Sequence, residues 1–298
     1  MVFLIRSASG WALLVLRSLL MKDIIITGAS RGIGRALALS LAEEPASPFR
    51  LILTARNEKM LISVVRLVEA AGGEACCVPG DLSSITSSRA LGSDLVSIVR
   101  PPAMLVNNAG IWPSRLELTR EGCEASFMVN CFGPLVMQQA LIHSGLLDRV
   151  MVISARLLVM GKYSTEQTPT GKDFSIWRTY CTTKLAFAIA ERYIASQNPQ
   201  IDFVVLHPGV VRTDLGSRKG VTGCILRCVR PFLKPPEVCA SRLKQILLQE
   251  RWSPPGNARW LMKDAGKPWA AATEDKDTCR NIHEMVDQLP KPGNSNNV

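Results

Sequence analysis

The sequence predicts a single doubly wound α/β domain, with a parallel sheet covered by helices on both faces. Three observations lead there. From Lys22 onward, short aliphatic and β-branched runs alternate with longer segments of helical period. The first such run passes directly into a glycine-rich turn. No internal repeat and no linker rich in Pro, Gly or Ser divides the chain. Strand and helix at this cadence give parallel strands, because the crossover helices must lie on the sheet faces.

Residues 23–27 (DIIIT) read as the first strand, followed by the glycines. Ile33, Leu37 and Leu41 then recur at a spacing of four, and that helix stops before Pro45. Residues 49–54 are a second strand, and residues 58–71 a helix closed by Gly72 and Gly73. A third strand covers 75–78. The next helix carries Leu91, Leu95 and Ile98 on one side and ends at Pro101-Pro102. Residues 104–106, 150–153 and 203–206 supply three more buried strands, with long helical segments between them. The domain is expected to span 22–289, preceded by an extension at 1–21 and followed by a disordered tail, PKPGNSNNV, at 290–298.

Composition narrows the partners. A chain of 298 residues with 47% hydrophobic content can fill a core and is too apolar to be disordered. Thirty-five basic against 25 acidic residues give a net charge of +10, which favours anions: phosphorylated cofactors, anionic lipid or nucleic acid. Basic residues are not interleaved with aromatics, so dedicated nucleic-acid binding is not expected. The nine cysteines form no Cys-x-x-Cys and there are only three histidines, so no zinc spacing arises and no metal is expected. Free thiols imply a reducing, intracellular compartment rather than secretion. Segment 1–21 is acid-free and interrupted by Arg6 and Arg17. It is too broken for a membrane span and lacks an obvious cleavage site. A mitochondrial presequence, a helix lying in a membrane interface and an ordinary extension remain as readings.

The turn Thr27-Gly-Ala-Ser-Arg-Gly-Ile-Gly34 sits between strand and helix. Gly28, Gly32 and Gly34 allow a tight turn and close approach of backbone to a pyrophosphate, while the helix N-terminus offers unpaired N–H groups. Ser30, Arg31 and Ile33 complete this expected Rossmann-type contact. An NAD site needs a carboxylate near the end of the second strand for the ribose hydroxyls. That strand runs into Ala55-Arg56-Asn57 with no acid. Arg56 and Arg31 instead match a 2′-phosphate, so NADP(H) is the expected cofactor. The alternative for either arginine is a solvated surface charge.

Tyr180 and Lys184, four apart, share one face of a helix. A neighbouring ammonium stabilises a phenolate and lowers the pKa of a tyrosine acting as general acid. Together with TGASRGIG, Asp81-Leu82, Asn107-Asn108-Ala109-Gly110, Asn130 and His207-Pro-Gly-Val-Val-Arg-Thr213, this pair resembles the short-chain dehydrogenase/reductase family in order and spacing. The insertion at 157–179, the HPGVVRTDL stretch and the late RWLMKD…WAAA…CRNIHEMV segment are most similar to its retinol dehydrogenase and WW-domain oxidoreductase branch.

The resemblance implies roles. Gly28, Gly32 and Gly34 hold the pyrophosphate; Asp81 bonds the adenine amino group, with Leu82 beside it. Asn107, Ala109 and Gly110 line the adenosine side and steady the sheet. Pro208 to Thr213 bind the nicotinamide carboxamide. Lys184 holds the nicotinamide ribose and tunes Tyr180; both residues contact the cofactor, and Tyr180 donates the proton. Asn130 bends its helix and holds a water leading to Lys184. The implied reaction is hydride transfer with an apolar aldehyde, ketone or alcohol, retinoid- or lipid-aldehyde-like. Family members are often homo-oligomers.

One position departs from the family. Its fifth strand ends in two serines, the second of which polarises the carbonyl, whereas here Ser154 is followed by Ala155. Neighbouring strand residues face opposite ways, so Ser154 replaces the missing hydroxyl only if the strand end bends. The alternative function is therefore an NADP(H)-binding regulatory or scaffold protein with impaired catalysis. The family's substrate lid corresponds to residues 210–235, apolar with Arg212, Arg218, Lys219, Arg227, Arg230 and Lys234 against Asp214. That pattern implies a hydrophobic substrate taken from a membrane surface, one bearing an anionic group, or simply a solvated basic helix. Peripheral membrane contact follows from the first of these, and the expected location is cytoplasmic or attached to an organelle membrane. His207 resembles a structural histidine of the family, and Trp177 either lines the pocket or packs.

Overall fold

A computed structural model of the chain describes residues 21–44, 49–211 and 234–289. Among the described residues eight strands form one sheet: β1 (Lys22–Thr27), β2 (Phe49–Thr54), β3 (Glu74–Cys77), β4 (Ala103–Asn107), β5 (Leu147–Ile153), β6 (Asp202–His207), β7 (Ala258–Met262) and β8 (Ala265–Gly266). Their order is β3-β2-β1-β4-β5-β6-β7-β8, parallel throughout except for the β7–β8 hairpin. The order reverses between β1 and β4, so a crevice lies above the carboxyl ends of these two strands, where doubly wound folds bind ligands.

Among the described residues seven helices cover the sheet: α1 (Gly32–Ala42), α2 (Glu58–Ala70), α3 (Ile85–Ile98), α4 (Ala125–His143), α5 (Ile176–Gln197), α6 (Pro236–Leu247) and α7 (Lys276–Asp287). Alternation along the strands separates two cores. Ile25, Ile52, Leu105, Val150 and Val205 pack with α3, α4 and α5. Ile24, Ile26, Leu51, Met104, Ile153 and Leu206 pack with α1, α2 and α6. Both faces are covered, which is why these strands read as continuous apolar runs. Helix α4 is 19 residues long and apolar enough to cross a membrane, yet it lies mostly buried as a core helix.

The predicted strands agree with the observed ones to within a few residues, but β7 and β8 were not among them. Arg259 interrupts the short β7 run, so it lacks an aliphatic signature. Helix α5 begins at Ile176, one turn before Tyr180. The expectations for 1–20, for the tail 290–298, and for Arg212, Thr213, Asp214, Arg218, Lys219, Arg227 and Arg230 lie outside the described residues.

At the amino end of β1, fully buried Asp23 accepts hydrogen bonds from Arg50 Nε (2.9 Å) and the Arg100 backbone N–H (2.7 Å). Burial pushes its carboxyl up, but the bonds from Arg50 and Arg100 outweigh that and hold it below the usual carboxylate range. Its contribution to stability is therefore present above the unfolded value of ~3.9 and lost as pH falls through the lower folded value. Asp23→Ala is expected to cost ~3 kcal/mol at neutral pH, since it leaves Arg50 unpaired. Urea unfolding should show that cost shrinking below pH ~4.

Candidate active site

The turn after β1 is built by close backbone approach. Gly28 and Gly32 have φ of +67° and +57°, where side chains are strained. A Cβ on Gly34 would lie 2.6 Å from Asn108 Nδ2 and 2.7 Å from the Gly28 carbonyl oxygen, so α1 can enter only with glycine there. Thr27 Oγ1 accepts from the N–H groups of Asn108 and Ala109, each at 2.9 Å, and Asn108 Nδ2 donates to the Thr27 carbonyl at 2.8 Å. These bonds fasten the β4 turn to the glycine turn. The N-cap of α1 is Arg31, whose side chain caps nothing, and the first helical turn has no acid. Its N–H groups and partial positive charge are left for an anion, and the chemistry suits a diphosphate.

The Ala29 N–H donates to the Thr54 carbonyl at 3.2 Å, which brings the turn against the end of β2. Arg31 and Arg56, two residues beyond each of these points, are both exposed at this corner. Past β3, the Asp81 carboxylate is oriented by Ser83, through its N–H at 3.0 Å and its hydroxyl at 2.8 Å. Leu82 is buried in the core. Ser30 and Ile33 are half-buried in the turn and in the first turn of α1.

Asn107 turns inward: its amide donates to Gln138 Oε1 at 2.7 Å, and Gln138 donates to Glu191 Oε2 at 3.1 Å. This buried chain ties β4 to α4 and α5. Burial pushes the Glu191 carboxyl up to about 8, so it is neutral at pH 7.

Asn130 lies in a wide turn of α4, Met128–Phe132. Its Oδ1 accepts from the Ile111 N–H at 2.7 Å, and its Nδ2 donates to the Ile111 carbonyl at 2.9 Å and to Thr183 Oγ1 at 3.2 Å. A Cβ on Gly110 would meet Asn130 Oδ1 at 3.3 Å and Lys184 Nζ at 3.9 Å. Gly110, Asn130 and Lys184 thus share one spot at the head of β4.

Lys184 and Tyr180 are both buried. Lys184 Nζ donates to the Ile153 carbonyl at 3.0 Å and stands 5.9 Å from the centre of the Tyr180 ring. Burial brings Lys184 down to about 8 and pushes the Tyr180 phenol up to about 12. The phenol is therefore not lowered here: desolvation by burial, then the neighbouring Cys181, raises it. A phenol that stays protonated at pH 7 is suited to donate.

The end of β5 does not bend. The Ser154 N–H donates to the Leu206 carbonyl at 2.7 Å, and Ala155 is extended (φ −141°, ψ 145°). Ser154 Oγ is buried without a hydrogen-bond partner among the described residues, and alternation along an extended backbone assigns it to the face opposite Ala155. The Pro208 carbonyl accepts from Arg242 Nη1 at 3.0 Å.

Three contributors were not assigned roles from the sequence: Thr27, Asn108 and Trp112. Trp112 stacks on Tyr180, ring centres 4.5 Å apart and planes at 16°, and Trp177 meets Trp112 edge-on at 4.6 Å. The Trp112 indole N–H donates to the Ile176 carbonyl at 2.5 Å. Its place two residues after Gly110 was the available signal.

A family profile for short chain dehydrogenases matches residues 22–221. Mouse retinol dehydrogenase 14 is 30% identical over 218 residues, 65% of this chain, and the matched region spans 63% of the mouse protein. Human retinol dehydrogenase 12 is 26% identical over 238 residues, 78% of this chain and 75% of its own length. Among solved structures, an alcohol dehydrogenase from Thermococcus sibiricus complexed with 5-hydroxy-NADP aligns with a TM-score of 0.60 at 25% identity, covering 84% of this chain and 99% of its own.

Proposed function

Because the chain belongs to the short-chain dehydrogenase/reductase family, in its retinol dehydrogenase-like branch, we propose that it is an NADP(H)-dependent oxidoreductase acting on an apolar carbonyl or alcohol. The observation that carries this reading is the convergence of Tyr180, Lys184, Asn130 and Gly110 beside an uncapped helix N-terminus and its glycine turn. The nicotinamide cofactor supplies the hydride when bound. The α1 N–H groups and Gly28, Gly32 and Gly34 hold its diphosphate, Asp81 and Leu82 its adenine, and Pro208 and Thr213 its nicotinamide end. Ala109 and Gly110 line the crevice, while Asn107 steadies β4 through Gln138. Lys184 holds the ribose, and Tyr180 gives its proton to the substrate oxygen. Asn130 positions the α4 turn against Ile111 and Thr183. Trp112 and Trp177 form an aromatic wall beside the phenol that suits an apolar substrate. The free thiols among the described residues suit an intracellular compartment.

Purified protein with NADPH and a panel of apolar aldehydes and ketones is expected to oxidise NADPH; no oxidation with any of them contradicts the reading. An Arg31→Ala/Arg56→Ala chain is expected to lose roughly tenfold or more in NADPH affinity, the scale of one charge-assisted bond or more to the 2′-phosphate. NADH affinity should hardly change, and equal losses for the two would remove the phosphate-clamp argument. The second reading, cofactor binding with little turnover, is favoured by Ala155, which offers no hydroxyl where the family has one.

A further inference from the structure

A cleft of about 270 Å³ lies beside the end of β6, bounded by segment 207–211, Lys234, Arg242 of α6 and Lys263 of the β7–β8 turn. Its described lining holds three cations and no carboxylate. Among the described residues none of the three is ion-paired, and Arg242 spends one N–H on the Pro208 carbonyl while keeping the rest of its guanidinium fork. Like charges gathered round one concavity repel each other unless an anion joins them.

Lys263 is held there at a conformational cost. It occupies the first central position of a two-residue hairpin, with Met262 paired to Ala265. Its φ of +65° is the only positive value at a non-glycine among the described residues. Such turns favour glycine at this place, and an L side chain costs ~1 kcal/mol. Its N–H donates to the His207 carbonyl at 2.8 Å, and its Cε lies 4.0 Å from where a Cβ on Gly209 would stand. The backbone is thus fixed at the cleft rim, and the side-chain stem lies along the cleft wall. His207 Nδ1 is buried without a partner among the described residues. Burial, then the positive charges of Arg156 and Lys263, hold the imidazole below its ordinary range, so the ring registers the positive field.

We propose that this cleft is an oxyanion site for a carboxylate or phosphate group, carried by the apolar substrate or by a small free anion. Arg242 supplies a planar fork suited to either group, and Lys234 and Lys263 supply flanking charges. The substrate-borne form rests on the oxidoreductase reading; anion binding itself does not.

Inorganic phosphate titrated into the protein without cofactor, followed through the His207 ring resonances, is the test. Phosphate is expected to raise the His207 pKa. In Lys263→Gly, phosphate affinity should fall roughly tenfold, the scale of one lost charge-assisted bond. Lys263→Gly should also melt no lower than the parent chain, since glycine suits the turn, so misfolding does not explain the loss. Lys234→Gln should weaken phosphate in the same direction. A silent His207, or equal phosphate affinity in parent and Lys263→Gly (as for an anion held only at the glycine turn), overturns the proposal. An apolar aldehyde with a terminal carboxylate is then compared with its methyl ester. A lower KM for the acid that disappears in Lys263→Gly assigns the site to the substrate, and equal KM values with phosphate still bound assign it to a free anion. Turnover of neither aldehyde counts against the oxidoreductase reading, and the phosphate titration still decides the site.

Discussion

Tyr180→Phe is expected to lower kcat by ~10²–10⁴ while changing cofactor affinity far less, because it removes the general acid and nothing that binds the diphosphate. The environment makes the loss specific. The Tyr180 ring is buried against Trp112, and burial pushes its phenol up to about 12, so the group enters each cycle protonated. Phenylalanine preserves the stack on Trp112 and deletes only the oxygen. Lys184 stays fixed by the Ile153 carbonyl at 3.0 Å. Steady-state rates with NADPH and a reactive aldehyde, beside a fluorescence titration of cofactor, separate the two effects. Unchanged kcat would remove Tyr180 from the chemistry.

The change expected to raise turnover is Ala155→Ser. Ala155 is buried and extended at the head of β5, next to the Ile153 carbonyl that holds Lys184. If position 155 has the role the family resemblance implies, a hydroxyl there would polarise the substrate carbonyl, and one such donor is worth ~10²–10³ in rate. Ser154 does not supply it, because the extended backbone aims its hydroxyl to the other side, where it has no partner among the described residues. The side chain grows by one atom, so the cost in packing is small. A gain of that order identifies a weakened enzyme. No gain, together with slow parental turnover, means that another donor or a different chemistry operates.

Much of the fold was legible because both sheet faces are covered. Runs such as IIIT and LILT carry no polar interruption, and Pro101-Pro102 and the glycine pair at 72–73 mark helix ends. The β7–β8 hairpin was not legible, since its five-residue strand contains an arginine and its turn has lysine where glycine is favoured. In the site, the glycine turn and the Tyr180/Lys184 pair announce themselves by spacing. The roles of Thr27 and Asn108 depend on a crossover that brings residues 81 positions apart into hydrogen-bond contact, which no local pattern encodes. The raised Tyr180 pKa was likewise hidden. Helical spacing places the lysine near the phenol, but only the packed structure shows how deeply the phenol is desolvated.

The central claim is that the amide groups at the start of α1, reached through Gly28, Gly32 and Gly34, grip a dinucleotide so that its ring end meets Tyr180. Calorimetric titration of the whole chain with NADPH tests it most directly. Saturable heat at one site per chain is the predicted result; no heat with NADPH and none with NADH would contradict it.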